Sequence, residues 1–209
     1  MGLAQQFGRP SGILGAVVGL GMARGNAALS RWVVERAGER LGPGATRVAE
    51  LGPGPGVGLQ ALLAQFPEAH VWGVDLSTVM LAQARRRNGT ACASGRLTLV
   101  EGGIASLAAC APADAVMANH VLYFLRDPVA DLAAIRSSLR PGGLLALGYQ
   151  LRQHMPAMAQ KRFPVAGHRL YDTEAEVADV AAAAGFTSVT HHVKGPADAP
   201  EGRLLLATA

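Results

Sequence analysis

The residues with the clearest chemical potential lie in the segment Glu50-Leu51-Gly52-Pro53-Gly54-Pro55-Gly56. A short apolar run leads into this segment, and a helix-like stretch, Leu59 to Phe66, follows it. This order predicts a strand, a tight turn and a helix. Because glycine has no Cβ, a ligand can lie directly against the backbone at the three glycines. The segment is therefore the first candidate for a cofactor site.

The spacing of the glycines argues against a dinucleotide site, whose fingerprint is Gly-x-Gly-x-x-Gly. Counting from Gly52 places Val57 at the third glycine, and counting from Gly54 places Leu59 there. The pattern that fits is an acid followed by three alternating glycines, ending at Gly56. The structural alternative is an ordinary glycine-rich turn.

A second acid follows at the tip of the next predicted strand. Residues 69–77 predict a strand that ends at Asp75, which lies 19 positions after Gly56. An acid at this place can accept hydrogen bonds from the ribose hydroxyls of an adenosine. Ser77 is then the predicted N-cap of the following helix. The alternative role for Asp75 is helix capping.

Taken together, these segments resemble class I methyltransferases that depend on S-adenosylmethionine (SAM), and the resemblance covers about residues 45–209. It implies SAM as the cofactor and S-adenosylhomocysteine (SAH) as its product. The implied fold is α/β, a Rossmann-like doubly wound sheet of seven strands, mostly parallel, with an antiparallel C-terminal edge hairpin. Glu50 and the glycines would seat the amino-acid end of SAM, and Asp75 would hold the ribose. The implied cofactor-binding residues are Glu50, Gly52, Gly54, Gly56, Asp75, Leu76, Gly103, Ile104 and Asn119.

The third predicted strand, Arg96 to Gly102, departs from the pattern of that family. The resemblance implies an acid at the next position, where it would hold the adenine amino group. Here the residue is Gly103, and we expect Glu101 to point in a different direction. We therefore expect backbone groups and apolar contacts with Ile104 to hold the adenine.

The end of the fourth predicted strand supplies the catalytic candidates. Residues 114–124 predict a strand ending near Asn119 and then a short helix. Ligands lie outside the carboxyl ends of strands in open α/β sheets, so His120 and Tyr123 are expected near the transferred methyl group. In-line methyl transfer depends mainly on alignment, and a base is needed only when the nucleophile loses a proton. His120 is the first candidate for that base, with turn capping or shaping of the cofactor pocket as alternatives. The alternative for Tyr123 is packing.

Residues 150–171 interrupt the alternation of strands and helices after the predicted fifth strand, Leu144 to Tyr149. In the enzymes that the chain resembles, insertions at this point commonly build the substrate pocket. The acceptor-binding candidates are Tyr149, His168 and Tyr171. The Asn-Pro-Pro-Tyr motif of methyltransferases acting on nucleic-acid or glutamine amines does not occur in the sequence. We expect a small-molecule acceptor and leave the acceptor atom open.

Residues 1–44 are predicted to form a helical cap beside the substrate site, within a single domain spanning residues 1–209. The uncharged run from Ile13 to Ala23 is too short to span a bilayer. We expect residues 1–30 to lie over the cofactor mouth. The alternative is a peripheral membrane contact through residues 9–36, which carry four arginines. The opening resembles those of bacterial lipid and quinone methyltransferases, which implies a lipophilic acceptor.

Composition and charge set the broad class of protein. Half of the 209 residues are apolar and 16% are charged, as in a globular domain with a sizeable core. The net charge of +4 is spread along the chain and there are only ten aromatic residues, so no nucleic-acid partner is expected. Cys92 and Cys110 form neither a metal-type spacing nor a disulfide framework, which predicts a reducing, cytoplasmic setting and no metal site. The sequence leaves open whether the protein forms a homodimer.

Two other functions stay open as well. One is a non-catalytic SAM-binding or interaction protein, which the missing acid at Gly103 favours. The other is a nicotinamide-dependent oxidoreductase built on the same kind of sheet, which the glycine spacing disfavours.

Overall fold

Helix α1, Gly12–Leu41, leads into the core. The structure, a computed structural model, describes residues 12–209, with side chains from Ala27 onward. Leu29, Val33 and Ala37 are buried at helical spacing and pack into the core on one face of the sheet. The predicted cover over the cofactor mouth and the predicted membrane patch fall largely outside the described side chains. No helix within residues 12–209 combines the length and the apolar character needed to cross a bilayer.

The strands and helices alternate as the sequence predicts. The strands are β1 (Arg47–Leu51), β2 (His70–Asp75), β3 (Leu97–Glu101), β4 (Ala113–Asn119), β5 (Leu139–Tyr149), β6 (Thr187–Lys194) and β7 (Gly202–Thr208). The later helices are α2 (Val57–Gln65), α3 (Thr78–Arg87), α4 (Gly89–Ala93), α5 (Pro128–Ser138), α6 (Ala157–Val165) and α7 (Glu174–Ala183). Three short 3₁₀ segments cover Ile104–Ala109, Leu122–Phe124 and Arg152–His154.

The seven strands form one sheet in the order β3-β2-β1-β4-β5-β7-β6. Strands β1 to β5 are parallel, whereas β7 runs antiparallel to both of its neighbours, β5 and β6. One face packs against α1, α2 and α3, and the other packs against α5, α7 and the 3₁₀ segment at Ile104–Ala109. The predicted doubly wound sheet with an antiparallel C-terminal hairpin is confirmed.

Side-chain caps fix the starts of three helices. The Ser77 hydroxyl accepts the N–H of Met80 at the start of α3, as predicted. Asp127 caps α5 in the same way, and Thr173 caps α7 by accepting the N–H of Glu176. These caps set where each helix leaves the preceding strand.

A short helix follows the end of α3 at Arg87. Residues Gly89–Ala93 form the short helix α4. The reason is Asn88, whose buried side chain donates to the carbonyls of Gly56 and Ala84 and whose carbonyl accepts the N–H of Cys92. The fifth strand is also longer than predicted, because Leu139 pairs with Ala113 before a bulge resets the register at Leu144.

The position of β1 determines where a ligand can bind. Strand β1 lies between β2 and β4, so the connections on its two sides run in opposite directions across the sheet. At such a switch point the loops after the strands separate and leave a crevice at the carboxyl edge. The glycine loop after β1, Asp75 at the end of β2 and Asn119 at the end of β4 all reach this edge.

Candidate active site

A cavity of about 550 Å³ lies at the carboxyl edge of the sheet, within the range of small-molecule sites. Most of the predicted cofactor-binding and catalytic residues line it. They are Glu50, Gly52, Gly54, Asp75, Leu76, Gly103, Ile104, Asn119, His120 and Tyr123. The topology thus brings together residues that are up to 73 positions apart in the sequence (Glu50 to Tyr123).

The glycine loop lies against the cavity through its backbone. Gly52 and Gly54 have φ values of 67° and 51°, a left-handed conformation that favours glycine. A Cβ at Gly52 would lie 2.8 Å from the Val121 side chain. Gly56 does not line the cavity. It packs against Ala84 on α3 and against Asn88, the residue that follows α3. Its role is therefore to close the turn rather than to face a ligand.

Asp75 joins the glycine loop to the start of α3. One carboxylate oxygen accepts the N–H of Gly54 at 3.0 Å, and the other accepts the N–H of Ser77 at 2.8 Å. Burial raises the pKa of Asp75, and these two hydrogen bonds oppose the shift. The carboxylate is thus held in one orientation at the cavity wall while keeping lone pairs for a ligand hydroxyl.

Glu50 is buried at the base of the glycine loop and is 3% exposed. Burial raises the pKa of its carboxyl group to about 8, with Asp75 adding to the shift and the Asn119 amide opposing it. Its Oε2 has no hydrogen-bond partner among the described residues. A Cβ at Gly58 would collide with this carboxyl group, so α2 approaches the sheet closely only because residue 58 is glycine. A cation or N–H donor in the cavity would satisfy Glu50.

Asn119 ends β4 beside Glu50. Within the described part of the chain, neither its amide nitrogen nor its amide oxygen has a hydrogen-bond partner, although the amide is close enough to Glu50 to lower that pKa. Buried polar groups are usually paired, so unpaired groups at a cavity wall indicate a ligand. Glu50 and Asn119 together offer carboxyl and amide oxygens as acceptors and the amide NH₂ group as donor, which suits the ammonium and carboxylate of an amino acid.

The expected adenine side is apolar. Leu76 and Ile104 line the cavity, and the Leu76 side chain is half exposed. A Cβ at Gly103 would make ordinary contact with Leu76 at 3.7 Å, so the wall has room for a side chain at this position but carries no acid there. Glu101 is exposed at the end of β3 and does not line the cavity, so it does not replace the missing acid.

His120 follows Asn119 in a left-handed conformation, with φ of 56°. This conformation is uncommon for a residue other than glycine, and histidine is among the side chains that adopt it more often. The His120 N–H donates to the carbonyl of Gly148, and the ring stacks at 6.2 Å from Tyr123. Burial lowers the pKa of His120 to about 4, so its imidazole is neutral at pH 7.

Tyr123 lies beside His120, but its hydroxyl is engaged by the backbone. The hydroxyl donates to the carbonyl of Gln150 and accepts the N–H of the same residue. Burial raises the pKa of the Tyr123 hydroxyl above its usual value. These contacts tie the segment after β4 to the end of β5.

Comparison with known proteins decides the family. Residues 48–143 match the sequence model of a family described as a methyltransferase domain. Trans-aconitate 2-methyltransferase of Methylobacterium nodulans is 41% identical over 101 residues, which make up 48% of this chain and 37% of that protein. The enzyme of the same name from an Azoarcus species is 36% identical over 49% of this chain and 38% of its own length.

Residues 48–143 carry a methyltransferase domain, and the sheet that contains them has the fold of class I, SAM-dependent methyltransferases. Solved structures share its fold. Magnesium protoporphyrin IX methyltransferase of Synechocystis, solved with bound SAH, superposes with a TM-score of 0.67 and 20% identity, over 88% of this chain and 83% of that chain. An O-methyltransferase family protein of Burkholderia thailandensis gives a TM-score of 0.71 at 20% identity, over 91% of this chain and 58% of that chain. SAM is accordingly the cofactor of this methyltransferase domain.

The match to the curated relatives is partial. The part of the chain that matches them spans about two fifths of their length. Residues 48–143, which match the methyltransferase family model, contain the glycine loop and the ends of β1 to β4. Residues 150–171 lie beyond that model.

The structure brings none of the three predicted acceptor-binding residues to the cavity. Tyr149 is fully buried on the other side of β5, where its hydroxyl lies 2.9 Å from Nδ1 of His191. Tyr171 is fully buried as well, beneath the guanidinium of Arg169. His168 packs edge-on against Phe124 at 4.7 Å and so stands behind the cavity wall. None of these three residues is therefore placed to contact a ligand in the cavity.

Other residues form that wall of the methyltransferase cavity. Lining residues outside the predicted site include Phe124, Leu125, Gln150, Met155 and Phe163. Three of them lie within residues 150–171, the segment predicted to build the substrate pocket. Apart from that location, the sequence offered little indication that these residues line a pocket, because apolar residues at helical spacing usually indicate core packing. Among the described residues, no group of three His, Cys, Asp or Glu side chains is placed to hold a metal ion.

Proposed function

We propose that this chain transfers the methyl group of SAM to an apolar small-molecule acceptor. The observation that carries the proposal is a single cavity in which the glycine loop and Asp75 face an apolar wall. Phe124, Leu125 and Phe163 belong to that wall. One end suits a nucleoside and an amino acid, and the other suits a molecule with little charge.

The residues present fit SAM. Gly52 and Gly54 present backbone at the cavity, and Asp75 has acceptors for ribose hydroxyls. Leu76 and Ile104 would border the adenine. Glu50 and Asn119, with unpaired buried polar atoms, would hold the amino-acid end. When bound, SAM supplies a methyl group on a sulfonium, which is open to attack by a nucleophile.

The chain itself contributes alignment and a proton acceptor. Excluding water and orienting two reactants are the main sources of rate in such a displacement. His120 is neutral at pH 7 and lines the cavity, so it can accept a proton from an acceptor hydroxyl. Tyr123 is better assigned to positioning, because its hydroxyl is already bonded to the Gln150 backbone.

Charge argues against a polyanionic acceptor. Trans-aconitate, named for the curated relatives, carries three carboxyl groups. Of the described residues that line the cavity, Arg126 alone has a cationic side chain, whereas Glu50, Asp75 and Asp131 have carboxyl groups. A buried carboxylate needs a cationic or hydrogen-bonding partner, so this cavity is a poor match for three of them.

The test is a calorimetric titration with SAM and SAH, followed by transfer of labelled methyl groups to a panel of neutral apolar compounds and to trans-aconitate. We expect binding of both nucleosides and methylation within the neutral set. Preferential methylation of trans-aconitate would contradict the proposed acceptor class. Failure to bind either SAM or SAH would contradict the function itself.

A second candidate function is SAM binding without catalysis, which the missing acid at Gly103 favours. SAM binding with no turnover on any acceptor class would support it. A nicotinamide-dependent oxidoreductase is disfavoured by both the glycine spacing and the family match. We also propose that residues 1–209 act as one domain in the cytoplasm. A membrane contact through residues 9–36 and a homodimer stay predictions.

A further inference from the structure

Gln150 is held at the cavity wall by four hydrogen bonds. It follows the last residue of β5, and its backbone N–H and C=O both bond to the Tyr123 hydroxyl. Its side-chain Nε2 donates to the carbonyl of Glu201 at 2.9 Å and to that of Pro200 at 3.3 Å. Both carbonyls belong to the loop between β6 and β7. The residue is therefore fixed from two sides.

These contacts determine which end of the amide is which. Two carbonyl oxygens require the amide nitrogen, so the oxygen Oε1 must occupy the other position. Oε1 is buried, and no group within the described chain donates a hydrogen bond to it. Gln150 also lines the cavity. A buried acceptor without a donor, on a residue that lines the cavity, can be satisfied by a donor that a ligand brings.

The surroundings of Gln150 are aromatic. Its bonding partner Tyr123 lies 6.0 Å from Phe163, and Phe163 lies 5.6 Å from Phe124, measured between ring centroids. The edge of His168 supports Phe124 and Phe163 from behind. Aromatic walls of this kind favour flat rings, which gain offset-stacked or edge-to-face contacts.

Building on the proposed function, we propose that the acceptor is a neutral aromatic ring bearing a hydrogen-bond donor, of which a phenol is the simplest form. The ring packs against Phe124 and Phe163, and a donor group on it hydrogen-bonds to Oε1 of Gln150. The group that receives the methyl, whose proton His120 would accept, is a second polar group on the same acceptor. Gln150 is thus a specificity-determining residue. It rejects compounds that lack the donor, because they would leave Oε1 unpaired in a buried position.

The test measures binding by equilibrium dialysis with three probes that differ in one group. The probes are 2-naphthol, 2-methoxynaphthalene, which lacks the donor, and 2-naphthoate, which is an anion. Each is measured with and without saturating SAH. We expect the wild type to bind 2-naphthol about tenfold more tightly than 2-methoxynaphthalene, the discrimination typical of one hydrogen bond to a buried acceptor, and to bind 2-naphthoate least.

Variants separate the donor contact from a structural role. Gln150→Leu should bring the ratio of 2-naphthol to 2-methoxynaphthalene affinity to about one. General damage to the site would weaken both probes and leave the ratio unchanged. Gln153→Leu is the matched control, because Gln153 is exposed nearby and does not line the cavity.

The outcomes distinguish this inference from the proposed function. SAH binding together with a wild-type ratio near one, no detectable 2-naphthol binding, or a preference for 2-naphthoate would overturn the assignment of Gln150 while leaving the cofactor site intact. A tenfold ratio of 2-naphthol to 2-methoxynaphthalene affinity without any SAH binding would support the aromatic donor site and contradict the proposed methyl transfer.

Discussion

The carboxylate of Asp75 accepts the backbone N–H of Gly54 at 3.0 Å, across the gap between the loops that follow β1 and β2. This hydrogen bond ties the predicted ribose acceptor to the glycine loop that faces the same ligand. Changes at Asp75 should therefore affect both the loop and the cofactor.

Asp75→Asn is expected to weaken SAH binding by at least about tenfold, because the amide loses one carboxylate acceptor and the charge that strengthens the others. Calorimetric titration measures this change. Glu101→Gln is the matched control, since Glu101 pairs with Asp75 in the register of β2 and β3 but is exposed and outside the cavity. Equal losses in both variants would contradict a ribose contact.

Glu50→Gln is expected to change how stability depends on pH. The pKa of Glu50 is raised from 4.5 to about 8 in the folded protein, so the folded state holds this proton more tightly than the unfolded state. The contribution of Glu50 to stability is then complete below pH 4.5 and is lost as the pH rises towards 8. Relative to Glu50→Gln, the wild type should lose roughly 1 kcal/mol per pH unit in this window.

Urea denaturation of both proteins at several pH values between 5 and 8 measures that difference. Parallel stability curves for the wild type and Glu50→Gln would show that the Glu50 carboxyl titrates as an exposed group does. They would also remove the reason for expecting a cationic group of the cofactor beside it.

Gly58→Ala is expected to destabilise the fold by about 1–3 kcal/mol, because the added methyl group would overlap the Glu50 carboxyl group. Gly89→Ala, at the start of α4, is the control. No atom lies within 4 Å of a Cβ at Gly89, so this variant should be neutral or more stable by up to about 1 kcal/mol. Chemical denaturation compares the two, and similar effects would disprove the close approach at Gly58.

Tyr149→Phe and Tyr171→Phe should have different effects on stability. The Tyr149 hydroxyl bonds to His191, so its removal should cost about 1 kcal/mol. The buried Tyr171 hydroxyl has no partner within residues 27–209, so its removal should be neutral or slightly stabilising. Thermal unfolding gives the comparison. A marked loss of acceptor affinity in either variant would restore the original substrate-binding assignment.

His120→Asn removes the imidazole and keeps a residue that tolerates a positive φ. If His120 is the base, kcat at saturating SAM should fall about 10²-fold or more while SAM affinity stays within about twofold. With its pKa at about 4, the wild-type kcat should be flat between pH 6 and 8. Parallel losses of kcat and SAM affinity would instead support the alternative, in which His120 shapes the cofactor pocket. His192→Asn on β6, outside the cavity, is the control.

Local sequence patterns identified most of the residues that line the expected cofactor end of the cavity. The glycine loop, Asp75 and the Ser77 cap are recognisable because each depends on residues close in sequence. The acid missing at Gly103 was also visible, since the position follows directly from the end of β3.

The acceptor end could not be predicted in the same way. Tyr149 was chosen and Gln150 was not, although the two are adjacent. Successive side chains point to opposite faces of a strand, so a one-residue choice decides which of them meets the cavity. The contacts that fix Gln150 come from Tyr123 and from Glu201, 27 and 51 positions away.

Strand β7 is the last strand along the chain, yet it lies inside the sheet between β5 and β6. During synthesis on a ribosome, β5 and β6 therefore emerge before β7, the strand that lies between them. The edge of β5 that faces away from β4 stays unpaired until β7 is released. Because Gln150 is anchored to the β6–β7 loop, the acceptor wall is also completed only at that late stage. A nascent chain halted before Gly202 would have the strands and glycine loop of the cofactor site but no finished acceptor pocket.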